Sequence, residues 1–171
     1  RYGMAPRCSN AYFLSKLAAE TVLFRSGLEG AVFRPSYVVG PGDAWVPSVL
    51  RALEAGELEV PGEGAYRVQP IAVADAAAAV LAAIERPAEA FPTVFDLAGP
   101  EALPYARLLE RLAAVARRLG RPVDLRVRSV PVEEADRRAR SGGYQGMLAD
   151  ELDCLLCDEV ADPSPLEALL G

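Results

Sequence analysis

The sequence contains no histidine and only one lysine, Lys16, among its 18 basic residues. Without an imidazole, Ser-His triads, histidine general bases and histidine-ligated metals are excluded. Tyrosine, lysine, carboxylates and cysteine remain as proton-transfer groups. The three cysteines are an odd number, which argues against a disulfide framework. We expect no metal site from this composition.

Long apolar runs are also missing. None approaches the roughly 20 residues that a membrane-spanning helix needs, and Arg1 does not open a signal-like hydrophobic segment. The net charge of −6 weighs against nucleic acid and anionic membrane surfaces as partners. With 171 residues, 51% of them hydrophobic, the chain has the size and composition of a globular domain. We expect a cytoplasmic protein, or a fragment of one.

Helix-like and strand-like patterns alternate along the chain, as in α/β folds. The periodicity predicts helices over 10–25, 46–55, 76–85, 104–119, 133–140 and 144–157. Short β-branched and aromatic runs predict strands or extended segments over 30–36, 57–60, 66–73, 93–98 and 123–128. Asp75 is the expected N-cap of the alanine-rich helix, and the residues after 157 are expected to form an irregular tail.

A complete nucleotide-binding α/β domain begins with a strand and a glycine-rich turn that holds phosphates. No such turn occurs here, because neither Gly40-Pro-Gly42 nor Gly62-Glu-Gly64 has the required spacing or the helix that should follow. The sequence therefore has the character of the second half of such a domain. We expect the chain by itself to lack the dinucleotide-phosphate site.

Tyr12 and Lys16 stand four residues apart in a predicted helix, so their side chains lie on the same face. A phenol is a poor base at neutral pH, and a nearby ammonium stabilises its phenolate form. The two residues are thus a candidate acid/base pair. The alternative is a solvated lysine beside a half-buried tyrosine, although this is the only lysine in the chain.

Three ordered motifs, Tyr12 to Glu20 (YFLSKLAAE), Phe33 to Asp43 (FRPSYVVGPGD) and Gln69 to Ala77 (QPIAVADAA), carry a resemblance. Together they resemble the C-terminal half of an extended or atypical short-chain dehydrogenase/reductase of the NAD-dependent epimerase/dehydratase superfamily. The tail resembles, more loosely, the atypical branch that includes the nucleotide-binding accessory subunit of respiratory complex I.

The resemblance implies that Tyr12 is the catalytic acid/base and that Lys16 binds the nicotinamide ribose while tuning Tyr12. It also implies that Pro35, Ser36, Tyr37 and Val38 lie against the nicotinamide of NAD or NADP. The implied fold is the C-terminal part of a Rossmann-type doubly wound parallel sheet plus a small α/β substrate-binding lobe.

In this division, residues 1–45 and 91–100 belong to the nucleotide-binding part, and 46–90 and 101–171 form the lobe. Apart from the substrate, a second copy of the chain or an upstream N-terminal segment is the expected partner. The alternative function is a non-catalytic NAD(P)-binding or assembly module related to the complex I subunit.

Other features fit the resemblance less well. Ser9 and Asn10 are too close to Tyr12 to serve as the serine or threonine that binds the reacting oxygen in the family. Family members that process sugar nucleotides usually carry an arginine in the stretch before the position of Asp75. Arg67 is close to this place, but Val68-Gln69-Pro70 breaks the expected run, which argues against a sugar-nucleotide substrate.

Three further features have competing interpretations. Cys154 and Cys157 lie on one side of a predicted helix, where a redox or zinc role, with Cys8 as a further ligand, competes with simple packing. The arginines of 137–140 could bind an anion or form a solvated face. Trp45 could line a substrate pocket or anchor the core.

Overall fold

The computed structural model describes residues 10–158 and 160–171 of the chain. Its helices are, in chain order, α1 Ala11–Arg25, α2 Trp45–Ala55, α3 Val73–Glu85, α4 Pro87–Ala90, α5 Tyr105–Arg118, α6 Val132–Arg140, α7 Ala149–Leu155 and α8 Ser164–Leu170. Its strands are β1 Ala31–Pro35, β2 Val38–Val39, β3 Glu59–Pro61, β4 Arg67–Val68, β5 Ile71–Ala72, β6 Thr93–Leu97, β7 Leu103–Pro104 and β8 Arg128–Val130. No helix within these two ranges combines the length and the apolar character that crossing a membrane requires.

The described residues form two compact units, and each unit draws on separated parts of the sequence. Unit 1 contains 42–68 and 103–158, and unit 2 contains 10–41, 69–102 and 160–171. Unit 2 therefore holds α1, α3, α4 and α8 with strands β1, β2, β5 and β6. The other helices and strands belong to unit 1.

Unit 2 is organised by two parallel strand pairs, β1 with β6 and β2 with β5. The aromatic residues of the longer pair pack together, since the Phe33 and Phe95 rings stack with centroids 5.6 Å apart. The alanines of α3 let this helix approach the strands closely. Ala79 is fully buried and shares a cluster with Leu97 of β6 and Leu166 of α8.

Unit 1 combines the parallel pair β3 and β8 with the antiparallel pair β4 and β7. Its helices α2 and α5 are amphipathic and bury Leu53 and Leu109. The Tyr66 ring stacks on Tyr105 with centroids 5.0 Å apart, and the Trp45 ring lies 6.1 Å from Tyr105. These contacts favour the core-anchor interpretation of Trp45.

The structure confirms the α/β class and the parallel pairing expected from the sequence. It also confirms α1, α2 and α5, which begin and end within one residue of their predicted limits. The apolar residues that give α1 its helical periodicity do not form a core face, because Leu14, Leu17 and Ala18 are exposed.

The prediction that Asp75 is the N-cap of α3 is wrong. The cap position is Ala72, and Asp75 lies in the first turn of the helix. A carboxylate there still interacts favourably with the positive end of the helix dipole. The acidic residue therefore marks the start of the helix without capping it.

The strand predicted over 123–128 is wrong, since the strand in this region is β8 at Arg128–Val130. Its partner strand β3 has three residues, Glu59–Pro61, and these pair with the three residues Arg128–Val130. The alternation of apolar and charged residues was misleading, because Val123 is buried while Val127 is exposed.

The helix predicted over 144–157 is too long, and the tail predicted to be irregular contains α8. Gln145 and Gly146 have φ values of 50° and 81°, which a right-handed helix does not contain. Helix α7 therefore begins only at Ala149. In the tail, Pro165 occupies an early helical position, where proline is tolerated.

Candidate active site

Two polar side chains of α1, Tyr12 and Lys16, lie close together on one face of the helix. The Lys16 Nζ is 5.2 Å from the centroid of the Tyr12 ring, as a spacing of four residues in a helix predicts. Helix α1 begins just before Tyr12 because the buried Asn10 side chain accepts a hydrogen bond of 3.3 Å from the Phe13 N–H. Tyr12 is 56% exposed and Lys16 is exposed as well, so both polar groups are open to a ligand.

The chain passes from β1 through Ser36 and Tyr37 into β2, and its backbone is fixed along the way. The Ser36 N–H donates to the carbonyl of Leu97 at the end of β6, at 3.0 Å. The Tyr37 carbonyl accepts a hydrogen bond of 2.9 Å from the Ile71 N–H of β5. The loop is therefore held by hydrogen bonds to both neighbouring strand ends.

The four residues predicted to face a cofactor all lie at this end of β1. Pro35 is exposed, whereas Ser36, Tyr37 and Val38 are half-buried. Ligands of open α/β sheets bind outside the carboxyl ends of the strands. The loop thus lies at the edge of unit 2 where a ligand is expected, with its side chains partly accessible.

A bidentate ion pair joins α1 to β1. Arg34 Nε donates to Glu20 Oε1 at 2.9 Å, and Arg34 Nη2 donates to Glu20 Oε2 at 2.7 Å. The hydrogen bond from Arg34 lowers the pKa of Glu20, and the bond to Glu20 raises the pKa of Arg34, with a further contribution from the charge of Asp96. The sequence alone did not indicate this pair, although Glu20 continues the row of Tyr12 and Lys16 by one more helical turn.

Cys154 and Cys157 are the two cysteines within the described residues. Cys154 is half-buried, and the buried Cys157 donates through its Sγ to the carbonyl of Asp153 at 3.1 Å. Among residues 10–158 and 160–171, no three His, Cys, Asp or Glu side chains are arranged to hold a metal ion. Cys8 and Ser9 lie outside the described residues.

Two of the three arginines of α6, Arg138 and Arg140, form ion pairs within unit 1. Arg138 Nη1 lies 2.9 Å from Glu59 Oε2, and its guanidinium is 4.9 Å from the centroid of the Tyr144 ring. Arg140 binds Asp136 at 3.1 Å. These contacts favour the interpretation of this segment as a helix face over that of an anion site.

Comparison with known proteins identifies the family. The model of the NAD dependent epimerase/dehydratase family matches residues 4–98, which is more than half of the chain. The chain therefore belongs to this family. It is also 29% identical over 112 residues to the mitochondrial NADH dehydrogenase [ubiquinone] 1 alpha subcomplex subunit 9 of Arabidopsis thaliana, covering 65% of this chain and 28% of that protein.

Solved structures with the same fold have low sequence identity. A human epimerase family protein solved with NADPH has a TM-score of 0.62 at 18% identity, covering 98% of this chain and 56% of that one. A nucleoside-diphosphate-sugar epimerase from Staphylococcus aureus has a TM-score of 0.59 at 20% identity, with coverages of 97% and 57%.

The dTDP-glucose 4,6-dehydratase of Streptomyces venezuelae, solved with NAD, has a TM-score of 0.57 at 18% identity, with coverages of 91% and 42%. The chain thus spans between about a quarter and three fifths of the length of these relatives. The likeness to the three solved structures shows the fold.

Two sets of residues in unit 2 have side chains whose chemistry suits a nicotinamide nucleoside. Tyr12 and Lys16 are exposed residues whose hydroxyl and ammonium groups are suited to hydrogen bonds with ribose hydroxyls. The loop over 35–38 presents half-buried side chains suited to one face of a flat ring. The pyrophosphate would need the glycine-rich turn that this sequence does not contain.

Proposed function

We propose that this chain serves an NAD(P)-dependent oxidoreductase, epimerase or dehydratase reaction on a small molecule. The observation that carries the proposal is the contact between Tyr12 and Lys16 on the exposed face of α1. Membership of the NAD dependent epimerase/dehydratase family supports it. The neighbours solved with NAD or NADPH support the choice of cofactor.

In this proposal each residue has a distinct task. A bound nicotinamide would supply hydride transfer to or from a carbinol carbon. The Tyr12 hydroxyl passes a proton to or from the substrate oxygen, and the Lys16 ammonium stabilises the phenolate and binds the ribose hydroxyls. Pro35, Ser36 and the other residues of the 35–38 loop exclude water from one face of the ring.

The division of labour along the chain is part of the same proposal. Residues 1–45 and 91–100 would contribute to nucleotide binding, and 46–90 and 101–171 would form the substrate lobe. An upstream segment would supply the phosphate-binding turn. Because that turn is missing from this sequence, we expect the 171-residue chain alone to bind NADH more weakly than micromolar.

A second function, a non-catalytic NAD(P)-binding or assembly module, is favoured by one observation. The chain is 29% identical over 112 residues to a protein named as a subunit of NADH dehydrogenase. In that case the same edge of unit 2 would bind a dinucleotide without turnover. Retention of both Tyr12 and Lys16 favours the catalytic function.

The test compares Tyr12→Phe with the wild type in the full-length protein. NADH and NADPH binding is followed by fluorescence, and turnover of candidate secondary alcohols by the absorbance of the reduced nicotinamide. We expect turnover to fall by about 10²–10⁴-fold while cofactor affinity is retained. The control is Phe24→Leu, which changes an exposed aromatic residue on the same helix. Undiminished turnover in Tyr12→Phe would refute the catalytic role, and cofactor binding without turnover in the wild type would favour the second function.

A further inference from the structure

The ion pair between Glu20 and Arg34 connects the two parts of the candidate active site. Glu20 lies on the helix that carries Tyr12 and Lys16, and Arg34 directly precedes the 35–38 loop. Two N–H groups of one guanidinium meet both oxygens of one carboxylate, a geometry that fixes orientation as well as distance. The Glu20 side chain is only 17% exposed, against 51% for Arg34, so the carboxylate is the more enclosed partner.

Among the described residues, α1 has little packing that buries its side chains. None of its residues is buried, and the large side chains of Leu14, Leu17 and Val22 are each more than half exposed. The Leu23 side chain lies beside Gly30, just before β1, where a Cβ on the glycine would be 3.6 Å from it. Among these contacts, the bidentate ion pair is the directional one that joins α1 to β1.

Because Glu20 lies about one helical turn from Lys16 and about two from Tyr12, a change in the tilt of α1 at Glu20 displaces both side chains. At a rise of about 1.5 Å per residue, Lys16 is about 6 Å and Tyr12 about 12 Å from Glu20 along the axis. A swing of α1 by about 10° around Glu20 would displace Tyr12 by about 2 Å. Catalytic groups must hold their places within about 0.5 Å, and a misplacement of about 1 Å can lower a rate about 100-fold.

We propose that Glu20 and Arg34 are positioning residues, which hold Tyr12 and Lys16 at a fixed place relative to the 35–38 loop. The inference rests on the proposed function, since it presumes that a nicotinamide lies between these groups. Neither residue of the pair touches cofactor or substrate in this scheme. They act by setting the position of the Tyr12 hydroxyl relative to the nicotinamide ring.

The test uses NADH as the probe and needs no substrate. The sample is the protein with its upstream segment and with isotope-labelled tyrosines. Transfer by the nuclear Overhauser effect is measured between the nicotinamide protons and the ring protons of Tyr12. The Tyr12 signal is assigned as the one that disappears in the Tyr12→Phe variant. We expect Glu20→Gln to reduce this transfer at least about 5-fold at equal saturation with NADH, and any turnover by about 10–100-fold. Arg34→Lys keeps the charge but not the fork of donors, so we expect an intermediate loss.

A second ion pair provides the matched control. Arg121 binds Glu54 in the same bidentate manner, at 2.8 and 3.0 Å, within unit 1. Glu54→Gln should cost similar stability and leave the transfer unchanged. Equal loss of transfer in Glu54→Gln and Glu20→Gln would reduce the effect to general destabilisation and overturn the inference.

Two other results would also overturn it. If Glu20→Gln and Arg34→Lys keep the full transfer while Tyr12→Phe loses turnover, the positioning role is wrong and the proposed function stands. If the wild-type protein shows no transfer from bound NADH to Tyr12, the proposed function fails and the positioning role fails with it.

Discussion

Gly99, which follows β6, lies against the backbone of Pro70 so closely that alanine has no room there. A Cβ on Gly99 would be 2.0 Å from the Pro70 carbonyl oxygen and 3.0 Å from its carbonyl carbon. The φ angle of Gly99 is outside the left-handed region, so its backbone conformation suits any residue. Gly99→Ala therefore tests the close approach and nothing else.

The cost follows from the contacts that must move. Pro70 has to retreat by about 1 Å before the Cβ contact reaches the 3.0 Å of real structures. This shift disturbs the hydrogen bond from the Gly99 N–H to the Gln69 carbonyl, at 3.2 Å, and that from Gln69 Nε2 to the Gly99 carbonyl, at 2.6 Å. Overpacking costs about 1–3 kcal/mol and each weakened hydrogen bond about 1 kcal/mol. We expect a total loss of about 3–5 kcal/mol in the free energy of unfolding.

Thermal and urea melts followed by circular dichroism measure this loss. At about 2–4 °C per kcal/mol for a chain of this size, the Tm should fall by roughly 6–20 °C. The control is Gly30→Ala, whose Cβ would meet nothing closer than the Leu23 side chain at 3.6 Å. We expect that variant to be neutral or up to about 1 kcal/mol more stable. If the two variants melt within about 2 °C of each other, the reasoning from the Pro70 contact is wrong.

Three further predictions concern titration and packing. Burial raises the pKa of Tyr105 from 10.0 to about 12, so between these pH values the folded chain keeps a proton that the unfolded chain has released. The free energy of unfolding should fall there by on the order of 1.4 kcal/mol per pH unit, and urea melts of Tyr105→Phe should show a shallower fall. The pKa of Glu20 is lowered from 4.5, so its contribution is present above pH 4.5 and is lost as the pH falls through the folded value. Glu20→Gln should cost less than about 1 kcal/mol at neutral pH, because Arg34 is half exposed, and this cost should vanish in melts at the acid end. Leu53 is 1% exposed, so Leu53→Ala should cost about 2–5 kcal/mol. Leu119→Ala, at a site 77% exposed, should cost under about 0.5 kcal/mol, and equal losses at the two sites would contradict this burial argument.

Much of the fold was predictable because its signals are local. The polar Asn10 followed by apolar residues at helical spacing marked α1, and the β-branched and aromatic composition of 31–35 and 93–97 marked the parallel strands. The failures came where pairing decides the outcome. The sequence of 123–128 has a strand pattern, but whether it forms one depends on the length of β3, which no local signal in that stretch reveals.

The candidate site also combines a feature that local sequence predicts with one that depends on packing. The contact between Tyr12 and Lys16 follows from a spacing of four residues within one helix, so the sequence alone predicted it. The pair of Glu20 and Arg34 joins a helix to a strand 14 residues later, and its geometry depends on how the two elements lie. The local sign of this ion pair in the sequence was the position of Glu20, four residues after Lys16 and eight after Tyr12.

The order of synthesis bears on unit 2, because Gln69 reaches into the last described segment. Its Oε1 accepts a hydrogen bond of 2.9 Å from the Ala161 N–H, and Leu166 and Leu169 of α8 complete the clusters around β6. A nascent chain that has left the ribosome only as far as residue 158 lacks these contacts of unit 2. Trimming the chain after residue 158, for instance to obtain crystals or to add a fusion partner, would remove both the Ala161 N–H that binds the buried Gln69 amide and the α8 leucines that pack in the clusters around β6.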